Sequence, residues 1–151
     1  MWYAKYDLEK VKEVMRTNMG KHLGLEITQM KEDALVGTMP VDHRTQQPLG
    51  ILHGGASVVL AESLGSLAAN LVLDPNKYIA VGLDINASHI KPMRSGYVIG
   101  EAKPFHIGRK TQVWDITITS PNGALVCSSR LTMSVLEKGN KSLGFENLLR
   151  D

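Results

Sequence analysis

The run from Gly54 to Leu73 constrains the fold most, because Glu62 is the single charged residue in it. A run of this length and hydrophobicity is a candidate membrane span. Glycine, serine and asparagine interrupt it, however, and a charged group at the bilayer centre costs on the order of 2.5–3.5 kcal/mol even on permissive insertion scales. We therefore predict a helix of about 19 residues, about 28 Å long, that is buried in protein. Asp74-Pro75-Asn76 would end it, since proline cannot continue a helix.

Composition limits the remaining classes of protein. The chain has 151 residues, 43% of them hydrophobic, which is typical of one compact domain. Lysine and arginine (17) barely exceed aspartate and glutamate (15), and a net charge of +2 argues against a nucleic-acid binder. Cys127 has no second cysteine with which to form a disulfide, and the first residues do not resemble a signal peptide. We therefore expect a cytoplasmic protein that does not associate with membranes.

Hydrophobic periodicity predicts an α+β fold. A short helix over about residues 7–17 has Asp7 as its N-cap and Gly20 as its stop signal, and the long helix follows a polar loop. Six segments have the spacing of strands: 23–30, 34–40, 78–91, 97–104, 111–119 and 124–136. Strands that are joined by short turns must be antiparallel, because a parallel pair needs a crossover of a dozen residues or more. We expect one domain over residues 1–136, a curved antiparallel sheet of about six strands around one long helix, and a polar tail at 137–151.

The position of Glu62 in an apolar helix requires an explanation. No cationic side chain lies within one turn of it, and burial of a lone carboxylate is costly. One interpretation is a carboxylate that simply reaches the surface at the rim of the core. The helix, however, is apolar or small on nearly every side, which leaves little solvated face. This favours a desolvated carboxylate with a catalytic role.

His53-Gly54-Gly55 stands at the predicted start of the same helix. The first backbone N–H groups of a helix have no partner inside it and attract negative charge. Two glycines let a ligand approach the backbone closely, so an acyl oxygen that becomes an oxyanion could bind there, with His53 as a further donor. The alternative interpretation of the motif is an ordinary helix start.

A distance test relates the two groups. Glu62 follows Gly54 by eight residues, which corresponds to about 12 Å along a helix axis. This is too far for one thioester carbonyl to contact both. If they serve one reaction centre, Glu62 must come from another subunit, and the simplest arrangement is two such helices packed antiparallel across a two-fold axis. The small residues after Ala61 would allow the close approach.

The motif MPVDHRTQQPLGILHGGASVVLAESLGSLAA, from Met39 to Ala69, with GLDINASHIKP, QVWDI and SSRLT further on, resembles the hotdog-fold acyl-CoA thioesterases. It is most similar to the branch that contains helix-glutamate 4-hydroxybenzoyl-CoA thioesterases, dihydroxynaphthoyl-CoA hydrolases and the proofreading thioesterase of enterobactin synthesis. The resemblance covers about residues 7–136 and implies a homo-oligomer with shared sites, a tetramer made of two dimers.

The resemblance also implies catalytic roles. Glu62 would be the nucleophile or general base, and the sequence leaves open which. Gln47 would position the attacking water, Gly54 N–H and His53 would polarise the thioester carbonyl, and Ser66 would lie near the acyl group or the water.

The phosphates of CoA require cations near the site. Lys91 and the turn residues Arg109 and Lys110 are the candidates, although cations in turns are often only solvated. His89 falls in phase with the apolar residues 79 to 87 of its strand, so it is either a core or rim histidine or a ligand contact. Six residues are thus expected at the CoA or acyl group: Gly55, Leu67, His89, Lys91, Arg109 and Lys110.

The sequence therefore predicts an acyl-CoA thioesterase without metal or cofactor, since it lacks metal-ligand spacing and nucleotide-binding motifs. The acyl group stays open, aromatic or medium-chain, dihydroxynaphthoyl included, as does an acyl carrier protein in place of CoA. A hydroxyacyl thioester dehydratase of the same fold is the first alternative, but Asp42-His43-Arg44-Thr45 lacks the Phe-Pro-Gly of that family's HFPG motif. A non-catalytic acyl-CoA-binding regulator is the second, and the intact Gln47, His53 and Glu62 argue against it.

Overall fold

The computed structural model describes residues 1–139, which form three helices and six strands. In chain order these are α1 (Leu8–Met15), α2 (Asn18–Leu23), β1 (Glu26–Met30), β2 (Leu35–Pro40), α3 (Gly54–Leu71), β3 (Tyr78–His89), β4 (Tyr97–Ile107), β5 (Thr111–Thr119) and β6 (Leu125–Glu137). The run in which Glu62 is the single charged residue forms α3, a helix of 18 residues, as predicted. The predicted tail lies outside the described residues from position 140 onward.

All six strands form one antiparallel sheet in the order β1-β2-β4-β5-β6-β3. The helix α3 packs against the sheet and contacts five of its strands: β2, β3, β4, β5 and β6. This confirms the predicted α+β architecture. The order leaves β1 and β3 as the edge strands, and β3 is the one that lies beside the functional residues described below. Within residues 1–139, no helix is both long and apolar enough to span a membrane.

The helix lies close to the sheet because glycines face it. Leu64 is fully buried on α3, and a Cβ added to Gly37 or Gly100 would come within 2.8 Å or 2.6 Å of its methyl groups. Gly65 lies on the helix and lets a side chain of the sheet come close, since a Cβ there would lie 2.6 Å from Leu131. Such contacts set the depth at which α3 sits, and therefore the position of its N-terminus relative to the strand ends.

Buried polar side chains attach the C-terminal part of α3 to the sheet. The Asn70 amide donates to the Ala80 carbonyl at 3.1 Å and accepts from the Ala80 N–H at 3.0 Å. Gln112 donates to the Ala69 carbonyl, and its own carbonyl accepts from the Trp114 indole. Because these groups are buried and paired, they fix the register of the helix against β3 and β5.

The helix α2 was not predicted. The sequence predicted a helix stop at Gly20, but Gly20 lies inside α2. The helix ends instead at Gly24, which has a left-handed φ of 69°. Glycine is needed at position 20 for another reason. A Cβ there would come within 2.1 Å of the Met15 carbonyl oxygen, so the close turn from α1 into α2 excludes any side chain.

The predicted phase of β3 is wrong in its first half. A β-bulge between Gly82 and Asp84 shifts the register, so the apolar residues before and after it face opposite sides of the sheet. Ala80 is buried against the helix, whereas Val81 is 38% and Leu83 is 64% exposed. After the bulge, Ile85 packs against the core. His89 therefore shares the inner face with the residues that follow the bulge, not with those that precede it.

Candidate active site

The loop between β2 and α3 is folded against the segment that follows β3. The Thr45 hydroxyl donates to the Pro40 carbonyl at 2.7 Å, and the Thr45 carbonyl accepts from the His53 N–H at 2.8 Å. The Leu52 N–H donates to the Met93 carbonyl at 2.7 Å. These bonds hold the loop as a rigid support for the residues at the start of α3.

Gln47 lies in this loop with a defined amide orientation. Its Oε1 accepts a hydrogen bond from the Leu49 N–H at 2.9 Å, while its backbone N–H donates to the Ile51 carbonyl. Because a backbone N–H requires an acceptor, the side-chain oxygen must face Leu49. The amide NH2 of Gln47 is thus the group left to donate toward a ligand.

His53 caps α3 with its side chain. Its Nδ1 accepts from the Gly55 N–H at 2.8 Å, so the neutral ring carries its proton on Nε2. The Gly54 N–H makes no hydrogen bond to any group in residues 1–139. The start of α3 therefore presents two donors, the Gly54 N–H and the His53 Nε2–H. The Gly55 N–H is already paired and is not one of them.

The His89 ring explains why position 54 is a glycine. A Cβ added to Gly54 would lie 2.7 Å from His89 Nε2 and about as close to its neighbouring ring carbons. The strand β3 ends at His89, directly beside the first turn of α3. His89 is exposed next to Gly54 and is therefore not a core histidine, which leaves the rim position and the ligand contact of the sequence prediction.

A cleft of about 430 Å³ opens on the Gly54 side of the helix start, and we call it the Lys91 cleft. It brings together four of the predicted site residues, because Gln47, Gly54, His89 and Lys91 all border it. The remaining walls are mostly apolar: Ile51, Leu52, Ser57, Ile90, Pro92, Met93 and Val126.

A second cleft of about 710 Å³ opens on the His53 side of the helix start, and we call it the α2 cleft. Its walls are formed by Asn18, Met19, His22, Leu23, Arg44, Thr45, Gln46, His53, Gly55, Ala56 and Val59. This cleft was not predicted from the sequence, because α2 itself was not predicted. A signal was available in the apolar Met19 and Leu23, which occur four residues apart.

Arg44 adds little charge to the α2 cleft. Its guanidinium donates to both oxygens of Asp42, at 3.1 Å and 2.7 Å. The side-chain hydrogen bond from Arg44 lowers the pKa of Asp42 to about 2, so the carboxylate stays ionised and the pair is neutral overall. The cleft is therefore not cationic in character.

Glu62 lies midway along α3, as the sequence predicts, but it is not desolvated in one chain. Its side chain is exposed in the single chain and approaches β3, where its Oε1 lies 2.9 Å from the position of a Cβ on Gly82. The expectation of a desolvated carboxylate is therefore wrong for one chain. The reason is that β3 is an edge strand and glycine at position 82 leaves the carboxylate uncovered. Within residues 1–139, Glu62 borders neither cleft.

The other predicted residues lie apart from the clefts. Ser66 is half-buried one turn after Glu62, and Leu67 is part of the core at 4% exposure. Arg109 and Lys110 are exposed in the turn between β4 and β5. Arg109 borders a small hollow with Leu73, next to the C-terminal end of α3, so these cations lie at the opposite end of the helix from Gly54.

Metal and thiol chemistry find no support in the described part of the chain. Residues 1–139 contain no group of three or more His, Cys, Asp or Glu side chains that could hold a metal ion. Cys127 is fully buried, and desolvation by burial raises the pKa of its thiol, which disfavours the reactive thiolate. The thiol is therefore a core group, as the sequence predicted.

Comparisons with known proteins identify the family of the chain. The family model of the thioesterase superfamily matches residues 49–127, which contain the start of α3 and both His53 and Glu62. A putative esterase of Haemophilus influenzae is 49% identical over 90% of this chain and 98% of its own length. The 1,4-dihydroxy-2-naphthoyl-CoA hydrolase of Escherichia coli K12 is 47% identical over 90% of this chain and 99% of its own length.

Two further matches extend the comparison. The proofreading thioesterase EntH of Cronobacter turicensis is 42% identical over 90% of this chain and 98% of its own length. The crystal structure of a thioesterase from Haemophilus influenzae superposes with a TM-score of 0.88 at 46% identity, covering 93% of this chain and 99% of the other. These similarities and the antiparallel sheet around α3 establish that the chain belongs to the thioesterase superfamily, as a hotdog-fold enzyme that hydrolyses thioesters.

Proposed function

We propose that this enzyme hydrolyses acyl-CoA thioesters to the free acid and CoA, with an aromatic or medium-chain acyl group. The observation that carries the proposal is the pair of donors at the start of α3, the Gly54 N–H and the His53 Nε2–H, with Gly54 lining one cleft and His53 lining another. The 1,4-dihydroxy-2-naphthoyl-CoA hydrolase of Escherichia coli supports a CoA thioester as substrate and makes the dihydroxynaphthoyl group a candidate.

The two donors would bind the thioester oxygen. Attack on the carbonyl carbon turns this oxygen into an oxyanion, and donors fixed in advance stabilise that charge most. The hydrogen bond from the Gly55 N–H holds the His53 ring in the required tautomer, with Nε2 protonated. Removal of one such donor costs about 10²–10³ in kcat in well-studied hydrolases.

Glu62 would act across a dimer interface. In one chain it lies about 12 Å along the helix from Gly54, and it is exposed beside the unpaired edge of β3. Pairing of β3 with its copy about a two-fold axis would cover Val81 and Leu83 and set two α3 helices antiparallel. Glu62 of the partner subunit then meets Gly54 and His53. By family resemblance, two such dimers form a tetramer.

The reaction would proceed without a metal or redox cofactor. Glu62 of the partner subunit either attacks the thioester carbon, giving a mixed anhydride that water cleaves, or removes a proton from the attacking water. The oxyanion collapses, the carbon–sulfur bond breaks, and CoA leaves as a thiolate that takes up a proton. The Gln47 NH2 and the Ser66 hydroxyl would position the water.

The Lys91 cleft would take the CoA arm. Lys91 and His89 stand at its mouth and offer donors to phosphate or pantetheine oxygens. In the antiparallel pair, the C-terminal end of one α3 lies beside the N-terminal end of the other. Arg109 and Lys110 of the partner would therefore reach the nucleotide phosphates, which explains their distance from Gly54 in one chain. Leu67 would support the acyl side of the partner's site. We place the enzyme in the cytoplasm, where the free Cys127 thiol stays reduced.

The test is release of free thiol from a panel of aromatic and aliphatic acyl-CoAs. We expect turnover by the purified wild type, and loss of turnover in Glu62→Ala at unchanged circular dichroism. Binding without turnover by the wild type would favour an acyl-CoA-binding regulator. Consumption of an enoyl-CoA or hydroxyacyl-CoA without thiol release would indicate a dehydratase, and either result would refute the proposal.

A further inference from the structure

The floor of the Lys91 cleft contains a polar group that has no role in the reaction proposed above. The three most buried residues that border this cleft are Leu52, Ser57 and Val126, which are 8%, 2% and 3% exposed. We call these three residues the floor of the cleft. Since Leu52 and Val126 are apolar, the Ser57 hydroxyl is the single polar side-chain group of the floor.

The Ser57 hydroxyl makes no hydrogen bond to any group of residues 1–139. A serine inside a helix often donates to the carbonyl four residues before it, which here is the carbonyl of His53. That carbonyl already accepts from the N–H groups of Ala56 and Ser57, at 3.0 Å and 3.2 Å. A buried hydroxyl without a partner is unfavourable, so we expect a ligand in this cleft to bring a polar atom to Ser57.

Ser57 lies on the same face of α3 as Gly54. Residues three apart in a helix are neighbours on its surface, with about 5–6 Å between their Cβ positions, and both residues border the Lys91 cleft. The Gly54 N–H is the donor that we propose for the thioester oxygen. The thioester sulfur is bonded to the same carbon as this oxygen. With the CoA arm in the Lys91 cleft, the sulfur is the first atom of that arm and would lie within reach of Ser57.

The sulfur is also the atom of the arm that most needs a donor. Negative charge develops on it as the carbon–sulfur bond breaks, and hydrogen bonds to a charged acceptor are about twice as strong as neutral ones. The other polar side chains that border the cleft are placed differently. His89 and Lys91 are exposed at the rim, and we assign the Gln47 amide to the attacking water. Ser57 is therefore the donor at the depth of Gly54.

We propose that Ser57 is a further catalytic residue, whose hydroxyl donates a hydrogen bond to the sulfur of the departing CoA. As the carbon–sulfur bond breaks, its electron pair moves to the sulfur. The Ser57 hydroxyl stabilises the resulting thiolate and keeps its own proton, and the thiolate takes up a proton from solvent. This inference rests on the proposed thioesterase function and adds to it the group that assists the leaving thiol.

Direct attack by Glu62 of the partner subunit would need this assistance most. Carboxylic acids are stronger acids than alkyl thiols, so a tetrahedral intermediate that carries both groups tends to expel the carboxylate again. A donor to the sulfur favours departure of the thiolate instead. Ser57 would thereby direct the intermediate toward product.

Ser57→Ala removes the hydroxyl and tests the assignment on an acyl-CoA that the wild type hydrolyses. We expect kcat to fall about 10- to 100-fold, the value of one hydrogen bond to a charged group, and KM to stay within about twofold. Ser57→Thr, which keeps a hydroxyl, should retain most of kcat. Ser63→Ala is the matched control, because Ser63 is a half-buried serine of the same helix that borders neither cleft.

The phenyl thioester of the same acid distinguishes assistance to the leaving group from other roles. The aromatic ring stabilises its thiolate, which therefore depends less on a donor, so we expect Ser57→Ala to lower its kcat by less than about threefold. A structural role for Ser57 would instead give equal losses on both thioesters and a lower midpoint of urea denaturation. Removal of an unpartnered hydroxyl should leave that midpoint unchanged or raise it.

Bound CoA gives a measurement that requires no turnover. A thiolate absorbs ultraviolet light where a thiol does not, so the absorbance of CoA bound to the protein reports the loss of its proton. In Ser57→Ala we expect this loss at a pH about 1–2 higher than in wild type. His53, His89 and Lys91, with Glu62 of the partner subunit, are present in both proteins, so their effects cancel in the comparison.

The outcomes separate this inference from the proposed function. A raised KM at wild-type kcat would show that the hydroxyl only binds the CoA arm. That result, unchanged kinetics in Ser57→Ala, equal losses on both thioesters or an unchanged titration of bound CoA would overturn the role of Ser57 while thioesterase activity stands. Wild type that releases no thiol from any acyl-CoA would instead refute the proposed function, and this inference with it.

Discussion

At the scale of single residues, His53 combines a structural and a chemical role. Its backbone is the N-cap of α3, its Nδ1 satisfies the Gly55 N–H, and its Nε2 stays available to a ligand. A capping aspartate would satisfy the helix equally well but would offer no donor to a ligand. The choice of histidine at this cap is therefore explained by the chemistry that we propose, and the hydrogen bond from Gly55 removes the ambiguity of its tautomer.

Gly54→Ala should disrupt the site by steric overlap. The new Cβ would lie 2.7 Å from His89 Nε2, so the His89 ring or the helix start must move. Because His89 is exposed and its ring can turn away, the free energy of unfolding should fall by less than about 1 kcal/mol, whereas displacement of the backbone donor should lower kcat by about tenfold or more. Urea denaturation and thiol release measure the two effects. Adding His89→Ala should restore most of the stability, and failure to do so would show that the overlap is not the cause.

Glu62→Gln should abolish most turnover and leave the fold intact. The carboxylate is exposed in the chain, so loss of its charge should barely change the free energy of unfolding. Loss of a general base or nucleophile should lower kcat by about 10²–10⁴. Glu13→Gln, which removes a carboxylate from the exposed face of α1, is the matched control. Wild-type kcat in Glu62→Gln would assign the chemistry to another group.

At the scale of elements, α3 is held at both ends by different means. Its start is supported by the loop that Thr45 organises, and its end by the buried amides of Asn70 and Gln112. Apolar packing against the sheet tolerates small shifts along the helix axis, whereas paired hydrogen bonds do not. The polar contacts therefore decide where the donors at the helix start lie relative to β3.

Asn70→Leu should destabilise the protein by about 2–4 kcal/mol. The buried Ala80 N–H and C=O would both lose their partner, and each unsatisfied group costs about 1–3 kcal/mol. Urea denaturation should show a lower midpoint at an unchanged m-value. Asn76→Ala is the control, because Asn76 is exposed and its side chain makes no hydrogen bond within residues 1–139. A similar loss in both variants would argue against the amide contacts as the cause.

At the scale of the whole molecule, the groups of the proposed site lie apart from one another within one chain. The donors and clefts lie at the start of α3, while Glu62 lies midway along it beside the open edge of β3. Val81 and Leu83 are exposed on the same strand. A long unpaired edge with exposed apolar residues is a surface that a second copy would cover.

Mixed subunits test the shared site. Glu62→Ala and His53→Ala should each be inactive alone. After joint dissociation and reassembly, random pairing makes half of the dimers hybrids, and each hybrid has one intact site, so we expect about a quarter of wild-type activity. Mixing Glu62→Ala with Glu62→Gln should give no recovery. If the hybrids also stay inactive, both residues act within one chain and the dimer proposal fails.

Much of this architecture could be predicted because its signals are local. The absence of charge around Glu62 indicated the central helix, and alternation with short turns indicated the antiparallel sheet. The motif around His53 and Gly54 indicated the helix start and its donors. The helix α2 and the cleft that it lines were not predicted, because Met19 and Leu23 are a single apolar pair at helical spacing in a helix of only six residues.

The sequence by itself determined the central helix, the strand order along the chain and the distance between Gly54 and Glu62. Each of these follows from the order of the residues and the regular rise per residue of a helix or strand. Only the tertiary structure decided which strand lies at the edge, where the bulge in β3 reverses its faces, and that Glu62 stays exposed. These properties depend on contacts between residues distant in the chain, and periodicity carries no information about them. The same distant contacts place His89 against Gly54 and open a cleft on each side of the helix start.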